Sequence, residues 1–194
     1  MTDAITFQSL GLSEPMLRAL EEKGYGYPTS VQKEAIPPLM EWKDVIAKAP
    51  TGTGKPFAFG IPMIEHIQPD SEDLQGLILA PTRELAIQIK EELQSLLTYY
   101  TGIRVAVVYG GAPIGGQIKA LEKKPQIVVA TPGRLMDHFK RKTLRLNKVK
   151  TVILDEADRM LDMGFYKDVT NILDKLTNRV NTGLFSATIS QEVM

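Results

Sequence analysis

The chain has 194 residues, 43% of them hydrophobic, and its 23 Lys+Arg are balanced by 23 Asp+Glu. That balance excludes a global field drawing the chain to nucleic acid or membrane, so any polyanion site must be local, while the apolar fraction is enough for a sizeable core. Without cysteine, disulfides and thiolate metal sites are excluded, which fits a reducing compartment.

In chain order, MTDAITFQSLGLS has neither the basic nor the apolar region of a signal peptide. No apolar run approaches the ~20 residues of a membrane span, so a soluble cytoplasmic protein is expected. Residues 1–44 read as a helical region. Ser13 is placed to cap a helix through LRALEEK that Gly24 stops. A second helix begins near Thr29 and runs through VQKEAIPPLM.

Residues 45–194 read as an α/β core. Six short runs rich in Val, Ile and Leu follow one another: VIAKAP (45–50), GLILAP (76–81), RVAVVYGG (104–111), QIVVATP (126–132), TVILDEAD (151–158) and TGLFSAT (182–188). They mostly lack polar alternation, the pattern of strands buried on both faces in a parallel sheet. Helical patterns lie between several of them; ELAIQIKEELQSLL (84–97) places Leu85, Ile89, Leu93, Leu96 and Leu97 on one stripe. The prediction is a mostly parallel central sheet with helices on both faces. Each run ends in small, polar or charged residues, and ligands of open parallel sheets bind at the carboxyl ends of the strands. Six such ends on one edge would form one long site.

After the first strand, APTGTGKPFAF (49–59) approximates a phosphate-binding loop between strand and helix. Glycines let backbone N–H groups close on phosphate oxygens, the helix N-terminus adds positive potential, and Lys55 would neutralise the outer phosphates. On this stretch alone, a simple glycine-rich turn is also open. TVILDEAD ends a strand in paired acids. A nucleotide-bound magnesium needs a carboxylate and an attacking water needs an orienting group. Asp155 and Glu156, as neighbours at a strand end, are expected to point different ways, one toward metal and one toward water. Alone, they read equally as a solvated strand end.

Together these stretches resemble the N-terminal RecA-like domain of a DEAD-box ATP-dependent RNA helicase, a P-loop NTPase fold, across essentially the whole chain. GYGYPTSVQ (24–32), with Phe7 seventeen positions upstream, resembles the Q motif. APTGTGK resembles motif I, PTREL (81–85) motif Ia, Gly110-Gly111 the GG motif, TPGR (131–134) motif Ib, DEAD (155–158) motif II and SAT (186–188) motif III.

The resemblance implies roles at the matching positions. Gln32 reads the adenine edge, with Phe7 and Tyr25 as aromatics near the base. Thr29 and Gln32 also have capping-box spacing, and both roles are compatible. Thr51, Gly52, Thr53, Gly54, Lys55 and Pro56 form the phosphate cradle for ATP. Asp155 serves Mg2+, Glu156 activates water, and Lys55, Asp155 and Glu156 are the catalytic set. Asp158, Ser186 and Thr188 couple hydrolysis to strand separation. Pro81, Thr82, Arg83, Gly111, Thr131, Gly133 and Arg134 contact the RNA backbone without reading base sequence.

Two departures bear on activity. Pro56 stands where the family has Ser or Thr, removing a magnesium-ligating hydroxyl and one N–H, and restricting the backbone of Lys55. The fold is expected to tolerate it, because proline is acceptable in a helix's first turn. The chain also stops six residues after SAT. The expectation is a monomeric fragment lacking the C-terminal RecA-like domain, binding adenine nucleotide weakly and not unwinding alone. The alternative is a non-catalytic RNA- or partner-binding module with a nucleotide site degraded by Pro56. The basic stretch KRKTLRLNKVK (140–150) reads as a solvated helix end, Trp42 as packing, and His66 and His138 as lacking ligand-like partners.

Overall fold

A computed structural model describes residues 4–50 and 52–188. All six expected strands form: β1 (Val45–Lys48), β2 (Gly76–Leu79), β3 (Val105–Val108), β4 (Ile127–Ala130), β5 (Thr151–Leu154) and β6 (Asn181–Ser186). Every pairing is parallel and the order is β1-β6-β5-β2-β4-β3. The carboxyl ends of all six strands therefore lie on one edge.

Alternation along each strand feeds two cores. Ile78, Ile127, Val129, Ile153 and Phe185 face α1 (Glu14–Glu22), α2 (Ser30–Met40), α3 (Lys55–Glu65) and α4 (Arg83–Ser95). Leu77, Leu79, Val128, Val152 and Leu154 face α5 (Ile114–Glu122), α6 (Pro132–Lys140), α7 (Ala157–Asp162) and α8 (Tyr166–Lys175). The central strands β2, β4 and β5 are buried at every position. That is why they read as unbroken apolar runs. Helix α3 is buried nearly all round. Gly60 allows its approach to α4, since a Cβ there would lie 2.7 Å from Leu93 Cδ1.

The helical region follows the sequence reading with one correction. α1 ends in a Schellman turn: Gly24 has φ 79°, its N–H donates to Glu21 O at 2.9 Å, and Tyr25 N–H donates to Leu20 O at 3.0 Å. Ser13 stands at the N-cap, but its side chain makes no capping bond. Instead its hydroxyl donates to Glu65 Oε1 (2.8 Å) and its N–H to Glu65 Oε2 (2.6 Å), with Tyr100 hydroxyl bonded to both residues. The charge-assisted bond to a carboxylate from α3 fixes the Ser13 side chain where it does not cap α1.

Trp42, the single tryptophan, packs as expected. It stacks on His66 with ring centroids 3.7 Å apart and planes 7° off parallel, and His66 Nε2–H donates to Met40 O at 2.9 Å. Burial lowers the His66 pKa from 6.5, outweighing the Met40 bond. A histidine held below its unfolded pKa leaves the folded chain binding fewer protons in that window. Its contribution is present above pH 6.5 and is lost as pH falls through the folded value. Trp42 fluorescence is expected to be quenched on acidification, as imidazolium forms against the indole, with a midpoint below 6.5. His66→Gln flattens the titration; a midpoint above 6.5 in the folded chain would contradict the burial argument.

Candidate functional site

Strand order divides the carboxyl edge into two halves. β1, β6 and β5 carry the phosphate loop, SAT and DEAD; β2, β4 and β3 carry PTREL, TPGR and the glycine pair. Asp155 at the end of β5 thus neighbours PTREL at the end of β2.

In the first half, the loop runs through Gly52 (φ 86°) to Gly54 (φ 78°), the N-cap of α3. Thr53 hydroxyl donates to Pro50 O at 2.7 Å. Thr51 lies outside the described residues. Pro56 is the second residue of α3, where its missing N–H is one the helix leaves unpaired anyway. The helix also includes Lys55, so the restriction imposed by the following proline did not exclude it. Gln32 completes a full capping box with Thr29: Thr29 N–H donates to Gln32 Oε1 (2.9 Å) and Gln32 N–H to Thr29 Oγ1 (3.4 Å). Its Nε2 donates to Gly54 O at 2.9 Å. One buried amide therefore ties the α2 cap to the phosphate loop, and a Cβ at Gly54 would sit 2.4 Å from Gln32 Nε2.

The two aromatics differ. Tyr25 is 50% exposed, with its ring edge-on to Phe57 at 5.6 Å. Phe7 is 3% exposed, and its N–H donates to Gly26 O at 3.4 Å. Phe7 is tied to the 24–27 turn through its backbone N–H, while Tyr25 offers a half-exposed ring. Both line a cleft of about 410 Å³.

The acids depart from the sequence expectation. Asp155 and Glu156 do not point different ways: Lys55 Nζ lies 2.9 Å from Asp155 Oδ1 and 3.9 Å from Glu156 Oε2. Strand alternation stops at Leu154, and Glu156 has left-handed backbone (φ 49°), which turns its carboxylate back toward Lys55. A non-glycine residue there is strained, a feature that clusters at functional sites. Burial pushes the Asp155 carboxyl up to about 6 despite Lys55. Its Oδ2 is buried with no hydrogen-bond partner among the described residues.

Asp158, Ser186 and Thr188 are brought together. Asp158 Oδ2 accepts from Thr188 N–H (3.1 Å) and hydroxyl (2.9 Å). Ser186 Oγ accepts from Asp158 N–H (3.2 Å) and donates to Thr188 O (2.6 Å). Burial raises the Asp158 pKa, but these bonds outweigh it and hold the carboxyl below its ordinary value.

In the second half, Arg83 is exposed at the start of α4, its guanidinium 5.1 Å from the centre of the Tyr109 ring. Pro81 is buried beside it, and Thr82 Oγ1 caps α4 through Leu85 N–H at 3.2 Å. Gly111 is exposed with φ 86°, and Gly133 lies in the first turn of α6. Thr131 Oγ1 accepts from Gly110 N–H at 3.2 Å. Arg134 is directed inward: its Nη1 donates to Ala112 O (2.9 Å) and Gln117 Oε1 (3.2 Å). Sequence reading missed Gln117, Tyr109 and the partnership of His138. A polar residue on the buried side of α5 was the available signal.

Comparison with known proteins points to one family. The DEAD/DEAH box helicase family model matches residues 29–194. The chain is 49% identical over 187 residues to "ATP-dependent RNA helicase CshA" of Limosilactobacillus reuteri, covering 96% of this chain and 37% of that protein. It is 49% identical over 185 residues to the Bacillus subtilis "DEAD-box ATP-dependent RNA helicase CshA", covering 95% and 37%. It therefore spans little more than a third of the curated relatives it matches. A DEAD box protein from Methanococcus jannaschii superposes with a TM-score of 0.91 at 44% identity, covering 99% of this chain and 52% of that one. A hypothetical ATP-dependent RNA helicase from Sulfolobus tokodaii gives 0.86 at 40%, covering 94% and 53%. With the fold, the motif loops and the match over residues 29–194 in agreement, the chain belongs to the DEAD/DEAH box helicase family.

Proposed function

We propose that this chain is the ATP-binding half of an RNA helicase that couples ATP binding and hydrolysis to local RNA unwinding in the cytoplasm. The observation carrying this reading is the Lys55–Asp155 pair at 2.9 Å, beside an unpartnered Asp155 Oδ2. A buried cation at the mouth of a glycine loop is poised to exchange its carboxylate for phosphate oxygens. The orphaned oxygen would suit a water of a nucleotide-bound magnesium, an ion that keeps most of its shell from phosphate and water. The residues fit nucleotide at the base end through Gln32 and Tyr25, and at the phosphates through Gly52, Thr53, Gly54 and Lys55. Toward magnesium the fit is reduced, because Pro56 has no hydroxyl.

Bound ATP would supply the phosphoryl group whose transfer to water does the work. Lys55 neutralises developing charge, Glu156 orients and deprotonates the water, and Asp158 with Ser186 and Thr188 relays the state of the site along β6. Arg83 and the Gly111, Thr131 and Gly133 backbone hold RNA phosphates and 2′-hydroxyls, favouring RNA without selecting a sequence. In this reading the chain acting alone as a monomer binds adenine nucleotide weakly and does not unwind, and a second RecA-like domain in cis would supply a finger and the other side of the clamp. Pro56 supports a second reading, a non-catalytic RNA- or partner-binding module.

Competition between ADP and GDP for a fluorescent ADP analogue tests the first reading. ADP is expected to win by roughly tenfold or more, and Gln32→Ala to remove the preference, because a carboxamide pairing with the base edge is lost. Equal competition by GDP in the parent chain would refute adenine recognition. RNA binding that ignores nucleotide and needs Arg83 would favour the second reading.

A further inference from the structure

The loop leaving β3, residues 109–112, contains two adjacent glycines, the least restrained residues a backbone can have. It is nevertheless held at three points. Tyr109 O accepts from Gln117 Nε2 (2.9 Å), Gly110 N–H donates to Thr131 Oγ1 (3.2 Å), and Ala112 O accepts from Arg134 Nη1 (2.9 Å).

Gln117 connects these anchors. It projects from α5 and is 7% exposed. Its Oε1 accepts from Arg134 Nη1 (3.2 Å) and from His138 Nε2 (3.0 Å). A guanidinium only donates and a backbone carbonyl only accepts, so one orientation of the carboxamide satisfies all its neighbours. That orientation also puts a proton on His138 Nε2, while Nδ1 lies 2.8 Å from the Thr143 hydroxyl. His138 is fully buried, and burial with the nearby Arg134 charge lowers its pKa, in keeping with a neutral ring. Tyr109, whose carbonyl Gln117 holds, also presents its ring to Arg83. One buried amide thus joins the three segments on the β2-β4-β3 half of the edge.

We propose that Gln117 is a positioning residue for RNA: its carboxamide fixes the 109–112 loop and the Arg134 side chain in one arrangement, and it does so from beneath, without touching RNA. This rests on the RNA-binding reading above. Without Gln117, Tyr109 O and His138 Nε2 lose their partners, Arg134 keeps only Ala112 and Asp137, and the glycine pair must be ordered by the RNA itself.

The test compares the chain with Gln117→Met, which keeps volume and removes every polar contact, and with Gln117→Glu. The second keeps an acceptor for Arg134 and His138 but sets a carboxylate oxygen against Tyr109 O. Anisotropy of a short fluorescein-labelled oligouridine gives RNA affinity; a fluorescent ADP analogue on the same samples reports the distant nucleotide half. Both variants are expected to bind RNA at least about tenfold more weakly, since buried groups are left unpaired, with ADP affinity unchanged and faster amide exchange over 109–112. A purely structural residue would not separate RNA affinity from ADP affinity. RNA binding equal to the parent's in a variant that still binds ADP overturns the proposal; if Gln117→Met does not fold, Gln117→Glu decides in the same way. A parent chain that binds no RNA, or binds it equally after Arg83→Ala, defeats the RNA reading, and the proposal falls with it.

Discussion

Replacing Pro56 by threonine is expected to raise affinity for ADP by roughly ten- to hundredfold without magnesium, through one restored N–H, and by roughly a further tenfold or more with magnesium, through the restored hydroxyl. The substitution restores two groups at the second residue of α3, a hydroxyl for the cation and a backbone N–H for a phosphate. Each charge-assisted bond is worth about 1.5–3 kcal/mol. The scaffold stays as it is, because α3 already forms with proline there and Gly54 O still receives Ala58 N–H at 3.3 Å. Stability should fall by less than about 1 kcal/mol, the entropy proline removes from the unfolded chain. Titration of a fluorescent ADP analogue with and without magnesium, parent beside variant, measures both affinities. If the two proteins bind alike, the loop works through Lys55 and its remaining amides, and the proline is a tolerated helix start.

Lys55→Met is expected to have the largest effect on stability. Lys55 and Asp155 side chains are 5% and 0% exposed. Removing Lys55 takes away the cation that keeps Asp155 ionised, and because that carboxyl already stands at about 6 it takes up a proton at neutral pH, which holds the cost to about 1–2 kcal/mol. For a chain of this size that lowers Tm by roughly 5 °C. Nucleotide binding should be lost as well, since no other cation reaches the loop among the described ion pairs. The double variant Lys55→Met/Asp155→Asn separates the two effects. An uncharged amide needs no cation, so thermal stability should largely return while nucleotide binding stays absent. If the double variant melts as low as Lys55→Met alone, the cost lies in packing around the methionine, not in a carboxyl left without its cation.

Much of this architecture was legible before any coordinates. Strands buried on both faces must be apolar at nearly every position, so β2, β4 and β5 stand out as unbroken runs. Parallel pairing then requires their carboxyl ends to share one edge, which put APTGTGK, PTREL, YGG, TPGR, DEAD and SAT in one place. Capping chemistry is equally local: Thr29 and Gln32 are three residues apart, and their reciprocal bonds follow from spacing. Ser13 shows where local rules stop. Its spacing fits an N-cap, but a carboxylate 52 residues away takes the hydroxyl.

Fold class, family and the loops gathered at the carboxyl edge could thus be read from the chain alone, because periodicity, turn residues and motif spacing are short-range properties. Three features were decided only by the tertiary structure. Strand order separates the half of the edge carrying the phosphate loop, SAT and DEAD from the half carrying PTREL, TPGR and the glycine pair, and it is set by which crossovers bury both faces of the sheet. The left-handed turn at Glu156 brings both acids onto Lys55, where strand alternation alone would have sent them apart. Arg134 and His138 meet Gln117 across 17 and 21 positions of sequence. Such a junction exists because α5 and α6 pack on the same face of the sheet, and no local pattern records which buried polar groups that packing makes neighbours.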